Sequence, residues 1–246
     1  MSHPLHSFCF AELHTPDVAA ASAFYGDVLG WETAHVAGDF HLFLREGKAI
    51  IGLRRSPGPQ RLLGYVKVAS ADATAARATD LGATIDTSPF DTPGVARTAV
   101  IRDPEGAAFG LWEDRGHGGA DVQDQIGAMW WIELMARDIV DARHFYTRLF
   151  GWDWRETPKY EIGERSYTVF TVDDRTAAGG ALQFHPAWGV APHWAVFFQV
   201  EDWATTTARA KAAGGSLTFW RDVPHTGRLG VIQDPACAEF TVMQTT

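Results

Sequence analysis

The sequence predicts an α+β protein that consists of two tandem domains, because the second half of the chain repeats the first. The segment Phe10–Trp31, FAELHTPDVAAASAFYGDVLGW, recurs as Trp131–Trp152, WIELMARDIVDARHFYTRLFGW, at an offset of 121 residues. Further blocks recur in the same order at offsets of 132 and 131 residues: Val68/Val200, Gly82/Gly214, Arg97/Arg228, Asp103/Asp234 and Pro104/Pro235. A repeat of this length indicates that each half is a structural unit.

The first unit is expected to begin with a strand and a helix. Phe8–His14 is rich in aromatic and apolar residues, which favours a strand. Thr15 and Pro16 predict the helix start, because threonine caps helices and proline is tolerated in the first turn. Gly30 predicts the helix end. The apolar residues between them share one helical face: Ala21, Phe24, Tyr25, Val28 and Leu29.

The rest of the half continues the same alternation. Three short strands are expected at 31–36, 40–45 and 49–54. The pattern then restarts with a strand at 63–68, a helix at 72–81, and strands at 84–85, 98–102 and 107–112, with a turn at 103–106. Each half is therefore predicted to be βαβββ twice, and the whole chain to contain four such units.

The domain boundary is predicted in a polar, glycine-rich segment, EDRGHGGADVQDQIG. We assign residues 1–113 to the N-terminal domain, 114–127 to a linker and 128–246 to the C-terminal domain.

Composition limits the possible partners. The chain of 246 residues has 21 Lys and Arg against 30 Asp and Glu, a net charge of −9. This acidity disfavours nucleic acid as a partner, and no apolar run is long enough to predict a membrane span. The start, MSHPLHSF, does not resemble a secretory signal, and two isolated cysteines fit a reducing compartment. We expect a cytoplasmic, small-molecule-binding protein that is a monomer or a homodimer.

The four βαβββ units, the FYxxxxGW segment after each first helix and the Asp-Pro turn before each last strand resemble the vicinal oxygen chelate superfamily. This group contains glyoxalases, bleomycin-resistance proteins, fosfomycin-resistance enzymes and extradiol dioxygenases. The sequence is most similar to its two-domain, glyoxalase-like branch found in actinobacteria. The resemblance implies curved mixed sheets that enclose one cavity in each domain. The fold alone does not specify the activity.

The resemblance also implies positions for a divalent metal, held in catalytic members by two histidines, or His/Gln, and a glutamate. These positions hold Phe10, Leu63 and Gly110 in the N-terminal half and Trp131, Ala195 and Thr241 in the C-terminal half. None of the six offers an imidazole or a carboxylate. No cofactor is therefore expected at the family positions.

A displaced metal site is the alternative. A shift of two residues keeps a strand side chain on the same face, which brings in Glu133, His193 and Glu239. Such a site would suit Fe, Mn, Ni or Zn. Against it, Glu12 repeats Glu133, which favours a structural role for both. The repeated Arg97 and Arg228 are expected to pair with these glutamates, since a buried carboxylate needs a partner.

Tryptophan distinguishes the two halves, because eight of the ten lie in the second. Trp131, Trp154 and Trp220 are expected to line a pocket for an apolar or aromatic ligand, together with Glu133 and Arg228. The alternative is that these rings pack in a core or between the domains. His225 and His193 are candidates for proton transfer, with a structural or surface role as the alternative.

Three hypotheses follow. The first is a metal-independent protein that binds a small apolar or aromatic molecule in the tryptophan-rich C-terminal cavity. The second is a metal-dependent lyase, isomerase or dioxygenase of the glyoxalase type that uses the displaced site. The third is a scaffold whose second domain only supports the first. The sequence leaves open whether the protein is an enzyme.

Overall fold

The computed structural model describes residues 3–157, 167–173 and 177–246. Within these ranges the chain forms two sheets and four α-helices. The N-terminal half contains β1 (Phe8–Thr15), α1 (Val18–Leu29), β2 (Glu32–Ala37), β3 (Phe40–Arg45), β4 (Lys48–Arg55), β5 (Arg61–Lys67), α2 (Ala71–Asp80), β6 (Thr84–Thr92), β7 (Ala96–Arg102) and β8 (Ala108–Asp114). The C-terminal half contains β9 (Met129–Ala136), α3 (Ile139–Phe150), β10 (Asp153–Thr157), β11 (Tyr167–Thr171), β12 (Ala177–Gln183), β13 (His193–Gln199), α4 (Trp203–Ala212), β14 (Ser216–Val223), β15 (Gly227–Gln233) and β16 (Glu239–Thr245).

The two sheets have the same topology. The strand order is β2-β3-β4-β1-β5-β8-β7-β6 in the first and β10-β11-β12-β9-β13-β16-β15-β14 in the second. Each sheet is mixed, because β1 pairs in parallel with β4 and antiparallel with β5, and β9 repeats this with β12 and β13. The prediction of two tandem α+β domains, each with two βαβββ units, is confirmed. None of the helices in the described ranges is long and apolar enough to cross a membrane.

The first helix of each half starts at an aspartate. The side chain of Asp17 accepts a hydrogen bond from the Ala20 amide. Asp138, at the matching position of the second half, accepts hydrogen bonds from the Val140 and Asp141 amides. Thr15, which we expected to cap α1, instead accepts a hydrogen bond from the Asp17 amide. The cap therefore lies two residues later than predicted, because the aspartate carboxylate reaches the free amides of the first turn.

Strand β6 is longer than predicted. It runs from Thr84 to Thr92 and pairs with β7 along its whole length, whereas only residues 84–85 were expected. Two register irregularities, on either side of Thr87, interrupt the alternation of its side chains. Such bulges obscure a period-two pattern in the sequence.

The domains share one apolar core between their sheets and helices. Helix α1 packs against α4, and α2 packs against α3. The Phe8 ring contacts the rings of Trp152 and Trp194 across the domain boundary. The indole N–H of Trp152 donates to the His6 carbonyl at 2.8 Å, and that of Trp31 donates to the Gly127 carbonyl at 2.8 Å. The tryptophan at the end of each FYxxxxGW segment therefore forms a hydrogen bond outside its own domain. Trp152 bonds to the N-terminal domain, and Trp31 bonds to the segment between the domains.

Candidate functional site

Each sheet has one face toward the helices and one concave face. Strand register makes the two concave faces comparable position by position. The N-terminal concave face is the set Phe10, Glu12, His14, Phe40, Arg54, Tyr65, Phe90 and Trp112. The C-terminal concave face is the corresponding set Trp131, Glu133, Met135, Tyr167, Leu182, Phe197, Arg221 and Met243.

The N-terminal concave face surrounds a fully buried carboxylate. Glu12 is 0% exposed and forms a two-point ion pair with Arg54, at 2.8 Å from Nε to Oε1 and 3.1 Å from Nη2 to Oε2. The Tyr65 hydroxyl donates to Glu12 Oε1 at 3.1 Å, and His14 Nε2 lies 2.7 Å from the same oxygen. Arg54 also donates to the Thr92 hydroxyl at 3.1 Å. Every group of the cluster is thus provided with polar partners.

These partners control the ionisation of Glu12. Burial alone would raise its pKa, but the charge and hydrogen bonds of Arg54 and His14 outweigh burial and lower the pKa to about 2. The Arg54 guanidinium lies over the rings of Phe40 and Phe90, at 5.0 and 5.1 Å from their centres. These ring contacts complete the enclosure of the cation.

Aromatic rings fill the remaining volume of this face. Phe10, Phe40, Tyr65 and Trp112 are each no more than 1% exposed. The Phe10 and Trp112 ring centres are 4.9 Å apart, and Tyr65 meets Trp112 edge to face at 5.8 Å. The N-terminal concave face is therefore a packed core rather than an accessible site.

The C-terminal concave face retains the glutamate and replaces its partners. Met135 takes the position of His14, and Leu182 takes the position of Arg54, because the two pairs have the same register. Phe197 likewise takes the position of Tyr65, opposite Trp131 as Tyr65 is opposite Phe10. All three side chains that stabilise the charge of Glu12 are thus replaced by apolar side chains around Glu133.

Glu133 has a different set of polar neighbours. The Trp131 indole donates to the Tyr167 hydroxyl at 2.7 Å, and because an indole N–H cannot accept, the hydroxyl directs its own proton to Glu133. Burial raises the pKa of Glu133, and the hydrogen bond from Tyr167 and the charge of Arg221 offset only part of this increase. Burial also lowers the pKa of Arg221.

The packing around Glu133 is looser than around Glu12. Trp131 and Glu133 are both partly exposed, whereas Phe10 and Glu12 are fully buried. Ala195 lies opposite Glu133, where the N-terminal half has the larger Leu63 opposite Glu12. Among the residues that the structure describes, this is the one concave face with a partly exposed carboxylate beside an aromatic wall.

The structure corrects three of the five residues expected to line the pocket. Trp131 and Glu133 lie on the C-terminal concave face. Trp154 faces the helices instead, because its indole donates to Thr147 of α3 at 3.1 Å and its ring contacts Phe170. Trp220 also lies on the helix-facing side, 5.8 Å from the Trp203 ring.

Arg228 is the third correction. Its guanidinium pairs with Asp222 at 2.6 Å and lies over the rings of Trp203 and Trp220. Arg97 likewise pairs with Asp72 and Asp91, not with Glu12. The expected pairing of the repeated arginines with the repeated glutamates is therefore wrong, since these arginines lie on the opposite face of each sheet.

His225 is an exposed turn residue between β14 and β15. It adopts a left-handed backbone with φ 59°, and the matching Gly94 has φ 70°. His193 lies at the start of β13, where its Nδ1 is 2.8 Å from the Ala191 carbonyl. Glu239 is exposed at the start of β16. None of these contacts brings the two histidines to Glu133.

Neither set of positions fits a divalent metal. The family positions hold two aromatic rings, Leu63, Ala195, Gly110 and Thr241, which do not fit a site built from imidazole and carboxylate. In the part of the chain that the structure describes, no three His, Cys, Asp or Glu side chains gather as a metal-binding group. The displaced set of Glu133, His193 and Glu239 therefore does not form one.

Sequence reasoning missed Tyr167 and Arg221 in the C-terminal half, and His14, Arg54 and Tyr65 in the N-terminal half. The parallel pairing of β1 with β4 brings Arg54 to Glu12 across 42 residues of sequence. A comparison of β4 with β12, the strands that pair with the glutamate-bearing strands, would have revealed that Leu182 replaces Arg54.

Two family models match the chain. Residues 7–112 match the family described as "Glyoxalase-like domain". Residues 128–240 match the family described as "Glyoxalase/Bleomycin resistance protein/Dioxygenase superfamily".

Curated relatives match over nearly the whole length. The chain is 32% identical to the anthracycline biosynthesis protein DauV of Streptomyces sp. (strain C5), covering 95% of this chain and 91% of the relative. It is 30% identical to the putative glyoxylase CFP32 of Mycobacterium tuberculosis (strain CDC 1551 / Oshkosh), covering 96% and 93%.

Solved structures share the fold at low identity. The Mn(II)-bound glyoxalase from Novosphingobium aromaticivorans has a TM-score of 0.64 at 17% identity, covering 97% of this chain and 82% of that chain. The 2,3-dioxygenase LapB from Pseudomonas sp. KL28 has a TM-score of 0.64 at 12% identity, covering 98% and 93%.

Proposed function

Because the chain belongs to the glyoxalase/bleomycin resistance protein/dioxygenase superfamily, we propose that its C-terminal concave face binds a small planar apolar or aromatic molecule. One observation supports this most directly. Glu12 and Glu133 occupy the same position in the two domains. Glu12 is fully buried and ion-paired with Arg54, whereas Glu133 is partly exposed beside Trp131 and has Leu182 in place of that arginine. Burying a carboxylate that is not hydrogen-bonded to a cation costs free energy, and groups of this kind are concentrated at functional sites.

The chemistry of the face fits such a ligand. The Trp131 indole offers a flat apolar wall, and Ala195, opposite Glu133, is smaller than Leu63, opposite Glu12. Glu133 and Tyr167 offer hydrogen bonds that fix the orientation of a polar substituent. Arg221 adds a positive charge near the same carboxylate, which suits a carbonyl or phenolate oxygen. A fused-ring compound with oxygen substituents on one edge meets all of these groups.

The names of two relatives support this ligand class. Two of them are named as anthracycline biosynthesis proteins, and anthracyclines are fused-ring aromatic compounds with oxygen substituents. We propose that the present chain holds a ligand of this general chemistry, either to sequester it or to orient it for a rearrangement. The proposal includes no metal-dependent step, since the residues at the family positions do not fit the ion.

The test is binding of 1,8-dihydroxyanthraquinone, measured by calorimetry and by tryptophan quenching. We expect one molecule per chain for the wild type. Trp131→Ala should weaken binding about tenfold or more, because an aromatic anchor is worth about 1.4 kcal/mol or more. Trp220→Ala is the matched control, since this ring lies on the helix-facing side of the same sheet, and it should bind like the wild type.

Two results would contradict the proposal. One is that the wild type does not bind the anthraquinone more tightly than dicyclohexyl ketone, an apolar compound that is not planar. The other is equal loss of affinity in Trp131→Ala and Trp220→Ala. Circular dichroism of each variant would show that the fold is retained.

A further inference from the structure

Two histidines face each other across the β2–β3 hairpin. His35 of β2 and His41 of β3 are direct cross-strand partners. Their ring centres are 5.0 Å apart and their planes are inclined by 75°. The pair lies at the edge of the N-terminal sheet, because β2 is its first strand. It is separate from both concave faces, since His41 pairs with Leu53, whose side chain belongs to the helix-facing core.

Each ring has a nitrogen that could bind an ion. His35 Nε2 lies 3.0 Å from the Gly38 carbonyl, which can only accept, so Nε2 carries the proton and Nδ1 the lone pair. His41 Nδ1 is buried and has no hydrogen-bond partner among the described residues. A buried nitrogen in this state requires an explanation, such as an ion or a water.

We propose that His35 and His41 bind one divalent transition-metal ion of the zinc, nickel and copper group. With a metal–nitrogen distance of about 2.0–2.1 Å, two imidazoles on a tetrahedral ion have ring centres about 5 Å apart, which agrees with the observed 5.0 Å. The bond from His35 Nε2 to a backbone carbonyl is also the kind of contact that orients metal-binding histidines.

The choice of ion follows from the ligands. Neutral imidazole suits zinc, copper and nickel better than the hard cations calcium and magnesium. Two protein ligands leave the remaining coordination positions to water or to a small molecule. A bound ion would join the edge strand β2 to β3, so it is expected to stabilise the hairpin as well as to bind.

The test is a titration of the full chain with Zn²⁺, by calorimetry and by NMR of the histidine ring protons. We expect one ion per chain, with the largest changes at His35 and His41 and a higher melting temperature. His35→Ala and His41→Ala should each lower the affinity about tenfold or more. Mg²⁺ at the same concentration should produce no change.

Three control variants locate the ion. His193→Ala removes the histidine of the displaced site, His3→Ala removes the one near the amino terminus, and Cys237→Ser removes the exposed thiol. All three should keep the wild-type affinity. The proposal is overturned if zinc does not bind, or if binding persists unchanged in both His35→Ala and His41→Ala. Because both variants alter an exposed hairpin, an unchanged circular dichroism spectrum is expected and separates loss of the site from unfolding.

Discussion

The hydroxyl of Tyr146 in the C-terminal half donates a hydrogen bond to Asp103 Oδ2 in the N-terminal half, at 2.9 Å. The bond has a counterpart in the opposite direction, where Tyr25 donates to Asp234 at 3.0 Å. The tyrosine of each FYxxxxGW segment therefore holds the Asp-Pro turn of the other domain. The two most recognisable features of the repeat thus act together at the domain interface.

Removing the Tyr146 hydroxyl is expected to destabilise the protein more than removing that of Tyr25. Tyr146→Phe leaves a buried aspartate without this donor and also removes the acceptor of the Trp194 indole. Asp234, in contrast, keeps a hydrogen bond from Gln60 when Tyr25 is changed. We expect a loss of about 1–3 kcal/mol for Tyr146→Phe and less for Tyr25→Phe, measured by urea unfolding. Equal losses would contradict this account of the interface.

The two repeated glutamates should respond with opposite sign to the same substitution. Glu12→Gln is expected to destabilise the fold strongly, because it leaves the buried Arg54 without its counter-charge. Glu133→Gln is expected to stabilise the fold by roughly 0.5–2 kcal/mol at neutral pH, as does relief of strain at other functional sites, and to weaken binding of 1,8-dihydroxyanthraquinone. Urea unfolding and calorimetry of both variants test the pair. A stability loss in Glu133→Gln would indicate a structural role.

The pH dependence of these effects follows from the direction of each pKa shift. The pKa of Glu133 is higher in the folded protein than in the unfolded chain. The ionised carboxylate therefore destabilises the fold when the pH is above the folded-state pKa, and this effect is absent when the pH is below the unfolded-state pKa. The stability gain of Glu133→Gln should therefore be present at pH 7 and disappear below about pH 4. Unfolding curves at both pH values provide the measurement. A gain that does not depend on pH would exclude this origin.

Glu12 should produce the reverse pH dependence. Its pKa is lowered from 4.5 to about 2, which corresponds to roughly 3 kcal/mol of stability. This contribution is complete above the unfolded pKa and is lost as the pH falls from 4.5 towards 2. Arg54→Met should remove most of it, so the variant should lose little further stability through that range. Arg55→Met, next in the strand but exposed, is the control and should retain the wild-type acid transition.

Gly180 makes room for the Tyr167 hydroxyl. A Cβ at Gly180 would overlap with this group, as well as with the Tyr167 ring. Gly180→Ala is therefore expected to displace Tyr167 from Trp131 and Glu133 and to lower the affinity for the anthraquinone about tenfold. Gly118→Ala is the control, because its Cβ would meet only Asp114 at an ordinary 3.5 Å. Unchanged binding in Gly180→Ala would remove Tyr167 from the site.

The His35/His41 pair depends on a strand irregularity that the sequence does not reveal. His35 lies three residues before Gly38 and His41 two residues after Asp39, so a regular two-residue hairpin would place Leu42 opposite His35. The register irregularity between His35 and Ala37 brings His41 opposite His35 instead. The sequence predicts strands at 31–36 and 40–45 but not how they pair. Only the structure adds the orientation of the rings and the burial of His41 Nδ1.

The resemblance to the vicinal oxygen chelate superfamily implied that Trp131 and Glu133 lie on a concave face. The sequence by itself determined the tandem repeat and the order of strands and helices. These features depend on local spacing, which the repeat makes visible twice. Tertiary structure alone decided which face Trp220 takes, because a bulge between Leu217 and Phe219 breaks the alternation along β14. It also decided that Glu12 pairs with Arg54, since partners in a sheet are chosen by the register of strands distant in sequence.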